Sequence, residues 1–152
     1  MAEAGINYGN NLILRALTPG EYESLSPHLE YVELSLGKVL HEMEEAIKHA
    51  YFPLSGTVSI VTVLRDGGSV EAGVVGYEGV VGMPLVLGTD APMNRRAQVQ
   101  IAGTALRIKA APFVGEFKRN ERLRSLLLSY LHAFITQISQ TVACNGMHRL
   151  EE

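Results

Sequence analysis

Between Glu78 and Gln100 the chain gathers the residue types that capture an anion. Gly79-Val80-Val81-Gly82 runs into Met83-Pro84, then a turn-rich loop through Asp90-Ala91-Pro92. Arg95-Arg96 follows and opens the alternating strand Ala97-Gln98-Val99-Gln100. Glycines let backbone N–H groups approach an oxyanion closely. A short helical turn after Gly82 would add its own N-terminal donors. An arginine returned by the next strand supplies a fork of donors that matches phosphate oxygens. The chemistry is capture of a phosphate without bond breaking. Glycines at this density also make ordinary corners of an all-β domain, and an Arg-Arg pair at a strand start also makes a solvated edge. Spacing alone leaves both readings open.

Other chemistry has less support. The single cysteine, Cys144, can form no disulfide within the chain and fits a reducing cytoplasm. One thiolate cannot hold an iron–sulfur cluster, and Cys144 reads as a small core residue. His28, His41, His49, His132 and His148 are scattered without ligand spacing. His41-Glu42 with His49 comes nearest to the metal set of a jelly-roll enzyme, and the spacing fits poorly. The chain reads as a non-enzyme with no metal. A net charge of -3 argues against this segment itself gripping a nucleic-acid backbone. Met1 to Ile6 lacks the basic and apolar regions of a signal peptide, and no apolar run is long enough to span a bilayer. The expectation is a cytoplasmic protein with no membrane partner.

The elements that must position the anion motif follow from periodicity. Residues 1–11 read as a loose arm, and Asn11 to Leu17 as a short amphipathic turn. Thr18-Pro19-Gly20-Glu21 carries a capping box with proline at the first helical position, and Pro27 ends that helix. From Leu29 the period becomes alternating. Strands are expected at Tyr31–Leu36, Lys38–Met43, Lys48–Phe52, Thr57–Leu64, Val70–Val75, Gln98–Ile101 and Thr104–Ile108. Short strands with frequent turns predict a small barrel or jelly roll, mainly β with flanking helices. A short helix is expected at Ala111–Phe117 and a long one from Asn120. The long helix carries two apolar tracks. Leu128, Leu131, Ile135, Ile138 and Val142 keep heptad spacing, beside Leu123, Leu127, Tyr130 and Phe134. One face can pack on the barrel, and the other predicts a homodimer through the same helix of a second copy. The helix is still in progress at Glu152, which predicts a domain of a longer protein.

This order resembles the cyclic nucleotide-binding domain of the cyclic AMP receptor protein/FNR family of bacterial transcription regulators, over roughly Leu12 to Glu152. Tyr51-Phe52-Pro53-Leu54-Ser55-Gly56-Thr57-Val58 is similar to the family's glycine-centred strand junction. Gly79 to Gly82 is similar to the start of its phosphate-binding cassette, and Arg95-Arg96-Ala97 to the cassette's end. Gln137 to Asn145 is similar to a dimer helix leading to a hinge. The resemblance implies residues 1–119 as the β-roll with short N-terminal helices and 120–152 as the dimerisation helix. A DNA-binding winged helix-turn-helix is expected downstream, outside this chain. It implies a cyclic nucleotide or other phosphate-bearing ligand held by Ala72, Gly73, Val81, Gly82, Met83, Pro84, Arg95, Arg96 and Ala97, with Ser139 reaching into the partner's pocket. Two positions depart from the family. Met83 stands where a glutamate usually accepts from the ribose hydroxyl, and Arg96 stands where the family has a small hydroxyl residue. These departures point to an anionic ligand other than cyclic AMP, or to a ligand-blind dimerisation module.

Overall fold

The computed structural model describes residues 8–88 and 94–151, with side chains described for 9–88 and 94–144. The expected arm over 1–7 and the loop over 89–93 lie outside the described residues.

Two short helices open the fold, α1 (Leu12–Arg15) and α2 (Pro19–Leu25). Among the described residues seven strands follow: β1 (Leu29–Leu34), β2 (Val39–His41), β3 (His49–Pro53), β4 (Thr57–Val63), β5 (Ser69–Val75), β6 (Arg95–Ile101) and β7 (Gly103–Lys109). Helices α3 (Ala110–Arg119) and α4 (Glu121–Glu151) close the chain. The capping box forms as its residues require. The Thr18 hydroxyl accepts from the Glu21 N–H, and the Thr18 N–H donates to the Glu21 carboxylate at 2.8 Å.

The strands make two antiparallel sheets, β1-β7-β3 and β2-β6-β4-β5. Between the sheets lies a core of Leu34, Tyr51, Val58, Val75, Val81, Ala97, Val99 and Ala105. A second core sits on the other face of the three-stranded sheet. There Ala50, Phe52, Leu106 and Ile108 meet Ile13, Leu14, Leu25, Phe113, Leu123 and Leu127 of the helices. Coverage of both faces explains why Ala50-Tyr51-Phe52 is apolar without alternation. Phe52 and Phe113 meet edge to face at 6.0 Å between centroids, a geometry worth about 1 kcal/mol beyond area burial.

Asn11 departs from the expectation of a loose arm, because it is fully buried. Its Oδ1 caps α1 by accepting from the N–H groups of Ile13 and Leu14, at 3.1 and 3.3 Å. Its Nδ2 donates to the carbonyls of Pro53 and Gly79, at 2.9 and 3.0 Å. The amide thereby uses its full donor and acceptor capacity and ties α1 both to the end of β3 and to the turn before Gly82.

The two tracks of α4 separate as their spacing requires. Leu123 and Leu127 are buried, and Tyr130 and Phe134 pack partly against the cores. Leu128, Ile135 and Val142 are exposed at 44%, 54% and 65%. Cys144, expected in a core, is exposed. All described side chains from Ser139 to Cys144 are exposed, because this part of α4 has no element of its own chain to cover it.

Candidate functional site

The segment from Gly76 to Gly82 leaves β5 and returns beside β3, where Tyr51 and Val81 exchange N–H···O bonds of 2.9 and 2.8 Å. Val80 and Val81 are buried by this pairing. Gly82 then takes φ +118°, and a Cβ there would lie 3.0 Å from the Ala50 Cα. Both its backbone conformation and its contact with β3 demand glycine. Only the single turn Met83–Leu85 follows, with Pro84 inside it. The short helical turn expected after Gly82 is therefore present, but as a single turn it aligns few peptide dipoles, and Pro84 contributes no N–H to it.

Above this segment lies a cavity of about 350 Å³. Its lining brings together Val81, Gly82, Met83, Pro84, Arg95, Arg96 and Ala97. Strand β6 contributes because it pairs with β4 over its whole length, with Arg95 opposite Thr62 and Ala97 opposite Ile60. Ala72, Gly73 and Ser139 are not among the lining residues. Ala72 falls in the bulge between the paired Gly73 and Glu71. Gly73 serves a neighbour instead, since a Cβ there would sit 2.7 Å from Cζ of Phe134. Ser139 is exposed on the outer part of α4.

Sequence reasoning missed several lining residues: His41, Glu42 and Glu45 near β2, Ile60 and Val75 in the second sheet, and Tyr130 and Phe134 of α4. The alternation of β4 and β5 could have pointed to Ile60 and Val75. The ion pair could not be read in the same way. Arg96 Nε donates to Glu42 Oε1 at 2.8 Å, across 54 positions of sequence. That bond holds the Glu42 carboxyl below its ordinary range, helped by the Met43 N–H. Arg96 is thus engaged by a carboxylate within the site. His41 gives its Nε2–H to the His49 carbonyl at 2.8 Å. Burial pushes the His41 imidazole below the ordinary histidine range; the hydrogen bond to the His49 carbonyl opposes this, and the His49 charge adds to the lowering.

Helix α4 closes the cavity by setting two aromatic rings over two glycines. A Cβ at Gly79 would lie 2.2 Å from Cζ of Tyr130, matching the Gly73 socket under Phe134. The Gln137 amide oxygen accepts from the Val74 N–H at 3.3 Å, which fastens the helix to β5. The Tyr130 hydroxyl is buried and has no hydrogen-bond partner among the described residues. Burial and then the Glu78 carboxylate push that phenol upward. Leu131, Ile135 and Ile138, three members of the heptad track, also line the cavity. His28 and His132 are exposed, while His148 lies outside the described side chains. Among the described residues no cluster of three or more metal-ligating side chains occurs. No described helix is long and apolar enough to cross a membrane.

The fold is a β-roll with a cavity under a long C-terminal helix. The chain belongs to the cyclic nucleotide-binding domain family, which it matches over residues 31–120. The resemblance read from the sequence therefore holds. A search of curated proteins returns no match. Among solved structures, the fold is similar to the c-di-GMP-responsive global regulator CLP of Xanthomonas campestris. The TM-score is 0.69 and the identity 15%, over 83% of this chain and 63% of that one. The sensor domain of the transcriptional regulator DNR from Pseudomonas aeruginosa matches with TM-score 0.65 and 18% identity, over 89% of this chain and 88% of that one. The catabolite activator protein of Thermus thermophilus matches with TM-score 0.67 and 14% identity, over 88% and 62%. The chain thus spans under two thirds of the Xanthomonas and Thermus regulators and nearly the whole of the Pseudomonas sensor domain.

Proposed function

We propose that this chain is the effector-sensing and dimerisation domain of a cytoplasmic DNA-binding transcription regulator. It acts by binding and shape change, without catalysing a reaction. Residues 1–119 form the sensing roll and 120–152 the dimer helix, and DNA is contacted by a domain outside this chain. The observation that carries this reading is shared use of one helix face. Leu131, Ile135 and Ile138 belong both to the cavity lining and to the apolar track that a second copy would cover. A ligand in the cavity touches the side chains that set the helix–helix packing, so it can favour one dimer geometry over another. Such coupling requires the ligand to bind the two geometries unequally. Arg95 and the backbone beside Gly82 hold the ligand's anionic group, and Ser139 reaches toward the partner's cavity.

The test is sedimentation equilibrium of the chain alone and with cyclic AMP, cyclic GMP, cyclic di-GMP, phosphate and organic acids. The expected result is a dimer whose dissociation constant, or thermal midpoint, shifts saturably with at least one of these. A specific observation favours a second reading, a ligand-blind dimerisation module. Arg96 is bound to Glu42, and Met83-Pro84 offers no side-chain acceptor to a sugar. A dimer unmoved by every ligand would support it.

A further inference from the structure

The wall of the cavity selects its ligand. No serine, threonine, asparagine or glutamine occurs among the described lining residues. The polar side chains that do line it are charged, engaged elsewhere or, for the Tyr130 hydroxyl, unpartnered among the described residues but buried. Arg96 and Glu42 bond each other, His41 donates to His49, and the Tyr130 hydroxyl is enclosed beside Gly79. A nucleoside brings ribose hydroxyls and base nitrogens that would leave water for a wall of Ile60, Val75, Phe134 and Ile138. Polar groups desolvated without partners weaken binding steeply. Among the described lining residues the formal charges also cancel, Arg95 and Arg96 against Glu42 and Glu45. That balance suits a ligand with one anionic group and disfavours a cyclic dinucleotide with two. The cavity's 350 Å³ lies at the small end of sites that enclose organic ligands, roughly 300–1,000 Å³.

We infer that the cavity takes an apolar monocarboxylic acid, with its hydrocarbon or aromatic body against Ile60, Phe134 and Ile138 and its carboxylate toward Arg95. The inference rests on the reading of this cavity as the effector site. It names an acceptor that an arginine fork matches and a body that needs no hydrogen bonds.

Isothermal titration of the whole chain with decanoate, cyclic AMP and inorganic phosphate tests the inference, with Arg95→Gln and Ile60→Asn as variants whose folding is checked by circular dichroism. Decanoate is expected to bind saturably, at least tenfold tighter than cyclic AMP or phosphate, and to weaken about tenfold in each variant. Cyclic AMP binding as tightly as decanoate would overturn the inference. So would decanoate affinity unchanged in Arg95→Gln, which folds readily because its site is an exposed strand start. Two failures remain distinguishable. If decanoate does not bind while another ligand shifts the dimer, the acid class is wrong and the sensing function stands. If decanoate binds as described without moving the dimer, the sensing function fails and the ligand class stands.

Discussion

At the scale of single residues, Tyr130 carries an unusual combination. Its ring fills the socket over Gly79, yet its hydroxyl is buried without a partner among the described residues. A buried hydroxyl without a hydrogen bond costs free energy that its ring does not need. Tyr130→Phe is therefore expected to be neutral or stabilising by about 1 kcal/mol, read as an unchanged or raised midpoint in urea. Gly79→Ala should act in the opposite sense. The added methyl meets the Tyr130 ring at 2.2 Å, and overpacking of this kind costs roughly 1–3 kcal/mol. If Gly79→Ala is harmless, the glycine serves the backbone alone and the socket is not what fixes α4. The sequence made Gly79 and Gly82 visible as a motif but not their uses. Glycine spacing reads the same whether the missing Cβ admits a ligand, a neighbouring strand or a tyrosine from a helix some fifty positions later. Arg96 illustrates the same limit, because its partner Glu42 is set by the docking of β2 on β6 and by no local signal.

At the scale of elements, the strands were legible within a few residues because the inward faces alternate and turn residues separate them. Strand β3 was legible too, expected at Lys48–Phe52 and found at His49–Pro53, although its double coverage removes the alternation. The pairing of β2, β6 and β4 also brings a titratable group into the interior. His41 faces the cavity beside Ala97 and Ile60, and burial holds it below its ordinary value. His49 is lowered too, first by burial and then by the charges of Arg107, Lys109 and Lys48, with Glu30 opposing. Both imidazoles therefore bind protons more readily in the unfolded chain. The unfolded state takes up protons first as pH falls through the ordinary histidine value of 6.5, so stability is fully present above that value and declines below it. Unfolding free energy measured in urea should fall between pH 7.5 and about 5.5. His41→Gln, whose amide N–H can replace the donor to the His49 carbonyl, should make that fall shallower. A pH slope unaltered by His41→Gln would show that His41 is not held neutral by the fold. The lowered carboxyls of Glu30 and Glu42 titrate in a more acid window, because each is held below 4.5 chiefly by its arginine hydrogen bond. They leave the histidine window undisturbed.

At the scale of the whole molecule, the open question for physics is what covers α4. The helix has 31 residues, about 46 Å at 1.5 Å per residue, and the roll covers only its first part. Leu128, Ile135 and Val142 recur every seven residues and stand exposed. Exposed apolar side chains at heptad spacing form the seam of a helix pair, and the simplest partner is a second copy related by a two-fold axis. Leu131, Ile135 and Ile138 also line the cavity, whereas Leu128 and Val142 do not. That division allows dimerisation and ligand binding to be tested apart. Leu128→Glu combined with Val142→Glu places four carboxylates in the seam of a dimer and removes the burial of two apolar side chains per copy. Each fully buried side chain of this kind is worth about 1.5–3 kcal/mol, so dissociation should rise at least a hundredfold. Sedimentation equilibrium should then find monomers at micromolar concentration, while the thermal midpoint of the roll and its ligand response persist. If the double variant remains dimeric, the heptad track is not the interface and the coupling argued from its shared face with the cavity fails. Loss of ligand binding together with the dimer would show instead that the cavity is completed by the second copy, with Ser139 the first side chain to substitute.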